Sequence, residues 1–334
     1  MKVKGNDLNS EEVVVQCGIP QGSVLGPILF TLYIFTLSTI FQISNQNFHL
    51  FADDQQLYKD FIPKHIDFEV NQTETCIYNV KEWMDENWLK FNGPKTEFLI
   101  AGNPSVMSQL DKPKLNIDGV DIVPKDQVRN LGVMFDESLS LSNHVSMLCQ
   151  KMFFEIRNIS FNRKYMPNDV VSQLMVSLVL SKMDYCNSLF TGLPQNLLNK
   201  LQRVQNCAAK VCLGKLKYDH VTPLLKELHW LPVKHRIDYK IATLCHKHFL
   251  GTLPSYLSCL LHQPTQIRTL RSSSDKTILF KPMKVLKTYG ERSFEFYAPL
   301  IWNSLPKELR EIDNHNTFKT RLKTHLFQKA YDQL

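Results

Sequence analysis

Phe48-His49-Leu50-Phe51-Ala52-Asp53-Asp54-Gln55-Gln56-Leu57-Tyr58 is the stretch on which the fold turns. Two short apolar runs flank two adjacent acids. That pattern predicts a β-hairpin presenting Asp53 and Asp54 together at its tip. Like charges this close repel, so the pair must be well solvated or hold a cation. A hard divalent ion such as Mg²⁺ takes one or two carboxylates together with substrate phosphates, which makes the tip a candidate metal site. An Asp-Asp turn with no further role is the plain alternative.

Upstream, no Asp, Glu, Lys or Arg occurs from Val13 to Ala52. Val3-Lys4-Gly5-Asn6 and Val13-Val14-Val15 read as two short strands around a turn. Gly18-Ile19-Pro20-Gln21-Gly22-Ser23 is a turn-rich loop that ends in an N-cap residue, Ser23, with Pro27 suited to the first helical turn. The helix predicted from there to about Ile43 is apolar nearly all round and is expected to be buried. Val24–Ile43 approaches the ~20 apolar residues of a membrane span. Gly26-Pro27, the interrupting Thr31, Thr36, Ser38 and Thr39, and the lack of basic flanks favour a core helix instead.

Downstream, Val70, Ile77, Val80, Met84 and Trp88 recur at helical spacing over residues 66–91, and Asn92-Gly93-Pro94 stops that helix. Lys95–Ala101 alternates as a strand. Leu115–Val123 reads as a hairpin turning at Asp118-Gly119, and Asn130–Phe135 as a further strand. Beyond Leu141 the pattern is helical, with helices predicted over about 142–160, 168–184, 194–213, 233–250 and 316–331. In the third of these, Leu197, Leu201, Val204, Ala208 and Val211 form one face, while Lys200, Arg203 and Lys210 lie elsewhere. Basic flanks on an apolar stripe suit a helix that packs on a core while facing phosphates, and equally an ordinary solvated helix. Residues 262–290 read as a basic linker.

A chain of 334 residues with 43% hydrophobic and 21% charged side chains can bury a sizeable core and excludes a disordered or low-complexity protein. Its net charge of +7 is divided unevenly. Residues 1–140 carry 11 basic and 19 acidic side chains, whereas residues 141–334 carry 28 and 13. The second part is therefore suited to a polyanionic partner, of which nucleic acid is the commonest. Eight cysteines include no CxxC pair, and Met1–Glu12 is polar and charged, unlike a secretion signal. These features predict reduced thiols in an intracellular protein, nuclear or cytoplasmic, rather than a secreted one. Cys245, His246 and His248 lie too close together for a zinc site.

The order of parts resembles the reverse transcriptases of non-LTR, LINE-type retrotransposons, and among them the jockey-like group. The likeness is carried by Gly18-Ile19-Pro20-Gln21-Gly22-Ser23-Val24-Leu25-Gly26-Pro27, by Phe51-Ala52-Asp53-Asp54, and by Trp88-Leu89…Asn92…Lys95-Thr96-Glu97. It continues through Leu131-Gly132-Val133…Asp136…Leu139…His144, Val204-Gln205-Asn206-Cys207-Ala208-Ala209 and Leu228…Trp230-Leu231-Pro232-Val233. It ends with Arg292-Ser293-Phe294…Ala298-Pro299…Trp302-Asn303-Ser304-Leu305-Pro306 and Phe318-Lys319…Leu322-Lys323. The set covers nearly the whole chain and is specific as an ordered set, although the FADD tetrapeptide alone is not.

The resemblance implies an α+β fold: a partial reverse-transcriptase palm, a short antiparallel sheet with packed helices, over 1–140. A helical thumb-like region would follow over 141–215, and a basic, mainly helical C-terminal region over 216–334. It implies two-metal nucleotidyl transfer, in which two Mg²⁺ ions clamp the attacking and leaving oxygens. Asp53 and Asp54 would be metal-binding carboxylates. Gln21, Gly22 and Ser23 would fall in the loop against the incoming nucleotide and template. Lys95 would be the cation near the departing pyrophosphate. RNA template, DNA primer or target, and deoxynucleotides would be the partners, and a membrane would not. The family also carries a metal-binding Asp on an earlier palm strand. Only seventeen residues precede Gly18, and their acids are Asp7, Glu11 and Glu12. The expectation is therefore a truncated palm without fingers or first catalytic Asp, inactive alone unless a partner chain completes it. The alternative is a non-catalytic RNA- or DNA-binding remnant that uses the basic half. At Tyr33-Ile34-Phe35-Thr36 the chain also departs from the Asn-Asp pair usual in the family.

Overall fold

The computed structural model describes residues 22–263, 277–283, 285–286 and 289–331. The two strands expected before Gly18, the Gly18–Gln21 part of the loop, and Cys17 lie outside them. The architecture is α+β, with three two-stranded sheets among the described residues and helices elsewhere. The chain clusters into two compact units, Met1–Val128 and Arg129–Leu334.

In the first unit, α1 (Gly26–Ile34) and α2 (Leu37–Ile43) form one helical run with a seam at Phe35-Thr36. β1 (Asn47–Phe51) and β2 (Asp54–Tyr58) form the carboxylate hairpin, and α3 (Ile66–Glu86) follows. A one-turn helix α4 (Pro104–Met107) and the strands β3 (Leu115–Ile117) and β4 (Val120–Ile122) complete the unit. The expected turn at Asp118-Gly119 is present, with both residues at positive φ, +54° and +76°. That conformation matches the right-handed twist of two-residue hairpins, and glycine adopts it without strain. Lys95–Ala101 differs from the strand expected there. Gly93–Lys95 is a 3₁₀ turn, and residues 96–101 after it belong to no strand, although the Lys125 amide bonds the Phe98 carbonyl (2.8 Å).

α3 is the spine of this unit. Its Cys76, Val80 and Met84 pack against Ile34, Leu37 and Phe41, while Ile66, Val70 and Ile77 pack against Ile100, Met107, Leu115 and Ile117. Polar bonds fix the hairpins to it. Lys59, just after β2, donates to Gln72 (2.8 Å) and pairs with Glu69 (2.5 Å). Glu74 accepts from the Asn116 amide (2.5 Å), and Lys81 pairs with Asp118 (2.6 Å).

The apolar stretch before the hairpin is not the buried helix its composition suggested. Only 22% of Gly26–Ile43 is buried. Ile34, Leu37, Ser38 and Phe41 form a covered stripe at i, i+3, i+4 and i+7. Leu25, Ile28, Leu29 and Leu32 repeat the same spacing on an open face. Composition shows how apolar a helix is, but not how many of its faces find neighbours.

β5 (Gln127–Asn130) and β6 (Val133–Asp136) pair at the boundary between the units. The single strand expected over Asn130–Phe135 is thus interrupted by a turn, Leu131-Gly132, with φ of +43° and +87°. The second unit is otherwise helical. α5 (Ser142–Asn162) is followed by α6 (Asn168–Met175), a π-helical segment Val176–Leu180 and α7 (Ser181–Asp184), which together occupy the single helix expected over 168–184. Then come α8 (Gln195–Cys212), α9 (Val221–Glu227), α10 (Val233–Phe249) and the short α11 (Ser255–Ser258). α12 (Phe294–Asn303), α13 (Lys307–Arg310) and α14 (His315–Tyr331) end the described chain. One hydrophobic core runs through all of it, from Val133 to Tyr331.

Long-range bonds close this unit. Tyr289 Oη donates to the Ser138 carbonyl (3.2 Å), Arg292 Nη1 to the Leu139 carbonyl (3.0 Å), and Tyr331 Oη to the Trp230 carbonyl (2.7 Å). The expected linker over 262–290 lies partly outside the described residues. Within it, Leu279 is buried, and the Asn303 side chain bonds both its amide (3.0 Å) and its carbonyl (2.8 Å). That part is strapped to α12 rather than free. His246 likewise belongs to the core. It stacks on Phe318 (4.1 Å), and its Nε2 lies 2.6 Å from the Ile312 carbonyl.

Candidate functional site

Asp53 and Asp54 owe their position to a two-residue turn. Phe51 pairs with Asp54 across the hairpin, leaving Ala52 and Asp53 as the turn itself. Ala52 adopts φ of +53°, a left-handed conformation that alanine rarely takes. Alternation then decides the faces. Phe48, Leu50 and Leu57 turn inward and pack beside Leu37 and Phe41. Asp54 shares the outer face with Phe51, Gln56, His49 and Tyr58, the last two stacked at 5.3 Å. Both carboxylates are exposed, and neither makes an ion pair or side-chain hydrogen bond among the described residues.

Gln21 lies outside the described residues. Gly22 is exposed with φ of +88°, and a Cβ placed there would meet nothing within 4 Å. The backbone conformation, not crowding, is what calls for glycine at this position. Ser23 is not the N-cap expected of it: that position before Gly26 is held by Leu25, which offers no side-chain cap, although Ser23 Oγ still accepts from the Gly26 amide (3.0 Å). Lys95 is exposed on the 3₁₀ turn and forms no ion pair among the described residues. Gly22, Ser23, Asp53, Asp54 and Lys95 thus all belong to the first unit, each near the surface of a turn, and no bond joins them.

The chemistry of two-metal catalysis can be tested against this donor set. Mg²⁺ requires near-octahedral oxygen coordination and commonly takes one or two carboxylates plus waters and substrate phosphates. Asp53 and Asp54 could contribute to one ion. Among the described residues, however, no group of three acids, histidines or cysteines stands together anywhere. The residues described here do not fit a pair of Mg²⁺ ions by themselves.

In the second unit, Lys200, Arg203 and Lys210 emerge on one side of α8, away from the buried Leu197, Leu201, Val204, Ala208 and Cys212. Two of the three are tied to their own chain. Lys200 Nζ donates to Ser146 Oγ (3.3 Å) and Lys210 Nζ to the Lys217 carbonyl. Gln205, fully buried within the expected apolar face, reaches the Leu231 carbonyl (2.8 Å). Its burial was not visible in the helical pattern. Its placement beside Ala208 and Ala209, which leave room for a polar contact, is the one available cue.

Residues 2–135 match the family model for reverse transcriptase (RNA-dependent DNA polymerase). The matched stretch contains the carboxylate hairpin, the Gly22-Ser23 loop and Lys95, and it supports a reverse transcriptase domain there. Comparison with curated proteins and with solved structures gives no match.

Proposed function

We propose that this chain is a reverse transcriptase-derived protein of the non-LTR, jockey-like type, with a palm portion over 1–140, a thumb-like region over 141–215 and a basic C-terminal region over 216–334. The observation that carries the reading is the family match over 2–135, within which Asp53 and Asp54 stand together at an exposed hairpin tip. The substrates of that fold are an RNA template, a DNA primer or target, and deoxynucleotides. In this reading Asp53 and Asp54 are the surviving metal-binding carboxylates, Lys95 the phosphate-facing cation, and Gln21, Gly22 and Ser23 the substrate loop.

The donor set sets the limit of that chemistry. Two carboxylates do not clamp two ions, so in this reading the chain is inactive alone unless further ligands, from outside the described residues or from a second chain, complete the site. What remains is retention of nucleic acid by the basic part, with Lys200 and Arg203 on the open side of α8. A primer-extension assay with purified chain, RNA template, annealed DNA primer, deoxynucleotides and Mg²⁺ tests this, with no extension expected. Extension that disappears in Asp53→Ala would overturn the inactivity. In parallel, Asp53→Asn should leave RNA affinity unchanged or slightly raised. Lys200→Glu and Arg203→Glu should each weaken it and reduce the salt slope by about 1.

A further inference from the structure

α5 buries one face through Val145, Leu148, Cys149, Met152, Ile156 and Ile159. Its opposite face is not the polar surface that such a helix normally presents. Phe154, Arg157 and Phe161 follow one another there at i, i+3 and i+7, all exposed, and the 3₁₀ turn after the helix adds exposed Lys164 and Tyr165. Tyr165 is 74% exposed and has the Lys164 ammonium 4.8 Å from its ring centre.

A second exposed turn is fixed at the same end of the unit. α8 ends at Cys212 and is stopped by Gly214 two residues on, with φ of +61°, and the Lys215 amide bonds back to the Lys210 carbonyl (2.9 Å). This is the usual glycine-terminated stop. Arg163 locks the two turns together. Its Nε donates to the Val211 carbonyl (2.9 Å), Nη2 to the Cys212 carbonyl (3.2 Å), and Nη1 to the Met166 carbonyl (2.9 Å), with Asn168 also engaged. Arg163 is thereby consumed as a structural brace against the helix C-terminus. Beyond Gly214 the chain presents Lys215, Lys217 and Tyr218. Tyr218 is 88% exposed, with Lys217 Nζ 5.7 Å from its ring centre. The acids nearest in sequence are Glu155, which pairs with Lys182 (2.6 Å), Asp169 and Asp219. The Asp219 carboxylate caps the Leu216 amide (2.7 Å), and no ion pair neutralises Lys164, Lys215 or Lys217 among the described residues.

We infer that this face of α5, together with the two braced turns, is a track for single-stranded nucleic acid. Aromatic rings held open to solvent and alternating with unneutralised cations are what unpaired bases and their phosphates require: a π-face to stack on and a positive groove for the backbone. A duplex keeps its base faces covered and would use the lysines alone. An apolar protein partner would be opposed by the interleaved charges. The inference does not depend on the polymerase reading, since none of these residues belongs to the matched stretch.

The test is fluorescence anisotropy of the full chain with a labelled RNA single strand of about twenty nucleotides and with a duplex of equal length, across a salt series. Tyr165→Ala/Tyr218→Ala should weaken single-strand binding about tenfold or more, leaving the salt slope and the duplex affinity nearly unchanged. Lys164→Gln/Lys217→Gln should lower the single-strand salt slope by about 0.7 per lost phosphate contact. All four side chains are exposed, and far-UV circular dichroism checks that each variant stays folded. Parental affinity in the tyrosine pair, equal losses for single strand and duplex, or binding to anionic phospholipid vesicles without binding to RNA would each overturn the inference.

Discussion

Ala52 sits at the turn of the carboxylate hairpin with φ of +53°, where its Cβ meets the following carbonyl. Glycine adopts that conformation freely, so Ala52→Gly should raise stability by about 0.5–1 kcal/mol despite glycine's more flexible unfolded state. Urea denaturation followed by circular dichroism measures it. Asp136 shows the opposite economy: a charge placed where it is fully used. Its carboxylate accepts from Ser138 (amide 3.2 Å, Oγ 2.6 Å), Ser140 (amide 2.9 Å, Oγ 3.1 Å) and the Leu141 amide (2.9 Å). Burial alone would raise its pKa, but these donors outweigh burial and hold it below the ordinary carboxylate value. A depressed folded pKa contributes stability that is complete above the unfolded value and is lost as pH falls through the folded one. Asp136→Ala should therefore cost about 3 kcal/mol at neutral pH, because several buried donors lose their acceptor. The deficit of Asp136→Asn relative to the parent should shrink below about pH 4. Denaturation at pH 7 and pH 3 decides it.

The stripe Leu25, Ile28, Leu29 and Leu32 leaves one helical face apolar and open, and such patches drive association. Ile28→Ser/Leu32→Ser should shift the chain from aggregate toward a single species in size-exclusion chromatography with light scattering, with little loss of stability. The predicted and observed helices show what periodicity can carry. α5, α8, α10 and α14 lie within two residues of their expected bounds because their apolar stripes, with Pro194 and Pro232 directly ahead of α8 and α10, are local signals. The Asp118-Gly119 turn was legible for the same reason. Leu131-Gly132 was not, because leucine is a poor turn residue and is held at positive φ by the fold around it, with Tyr185 Oη on its carbonyl (2.7 Å). Asp53 and Asp54 were readable as a tip, since adjacent acids between apolar runs belong on a turn. That Lys210 would spend its ammonium on the Lys217 carbonyl was not readable, because that bond exists only once α8 is stopped by Gly214.

In the second unit, burial disfavours the charged form of six histidines. Desolvation lowers the pKa of His144, His246, His248, His315 and His325, and takes His235 to about 4. Each is neutral in the fold and binds a proton more readily when unfolded, so stability rises with pH through this range and falls as pH drops below about 6.5. The His246 and His315 Nδ1 atoms lie 3.1 Å apart, a bond that needs one of them unprotonated. Thermal melts should accordingly lose several degrees between pH 7.5 and pH 5, and His246→Phe should flatten part of that slope. The bonds from Tyr289 and Arg292 to the Ser138 and Leu139 carbonyls join residues 151 and 153 positions apart. On the ribosome, the loop around Asp136 emerges roughly 8–30 seconds before its clasp is made. For that interval the nascent helices of this unit have a core to build but no closing strap, so their apolar faces stay open to chaperones during synthesis.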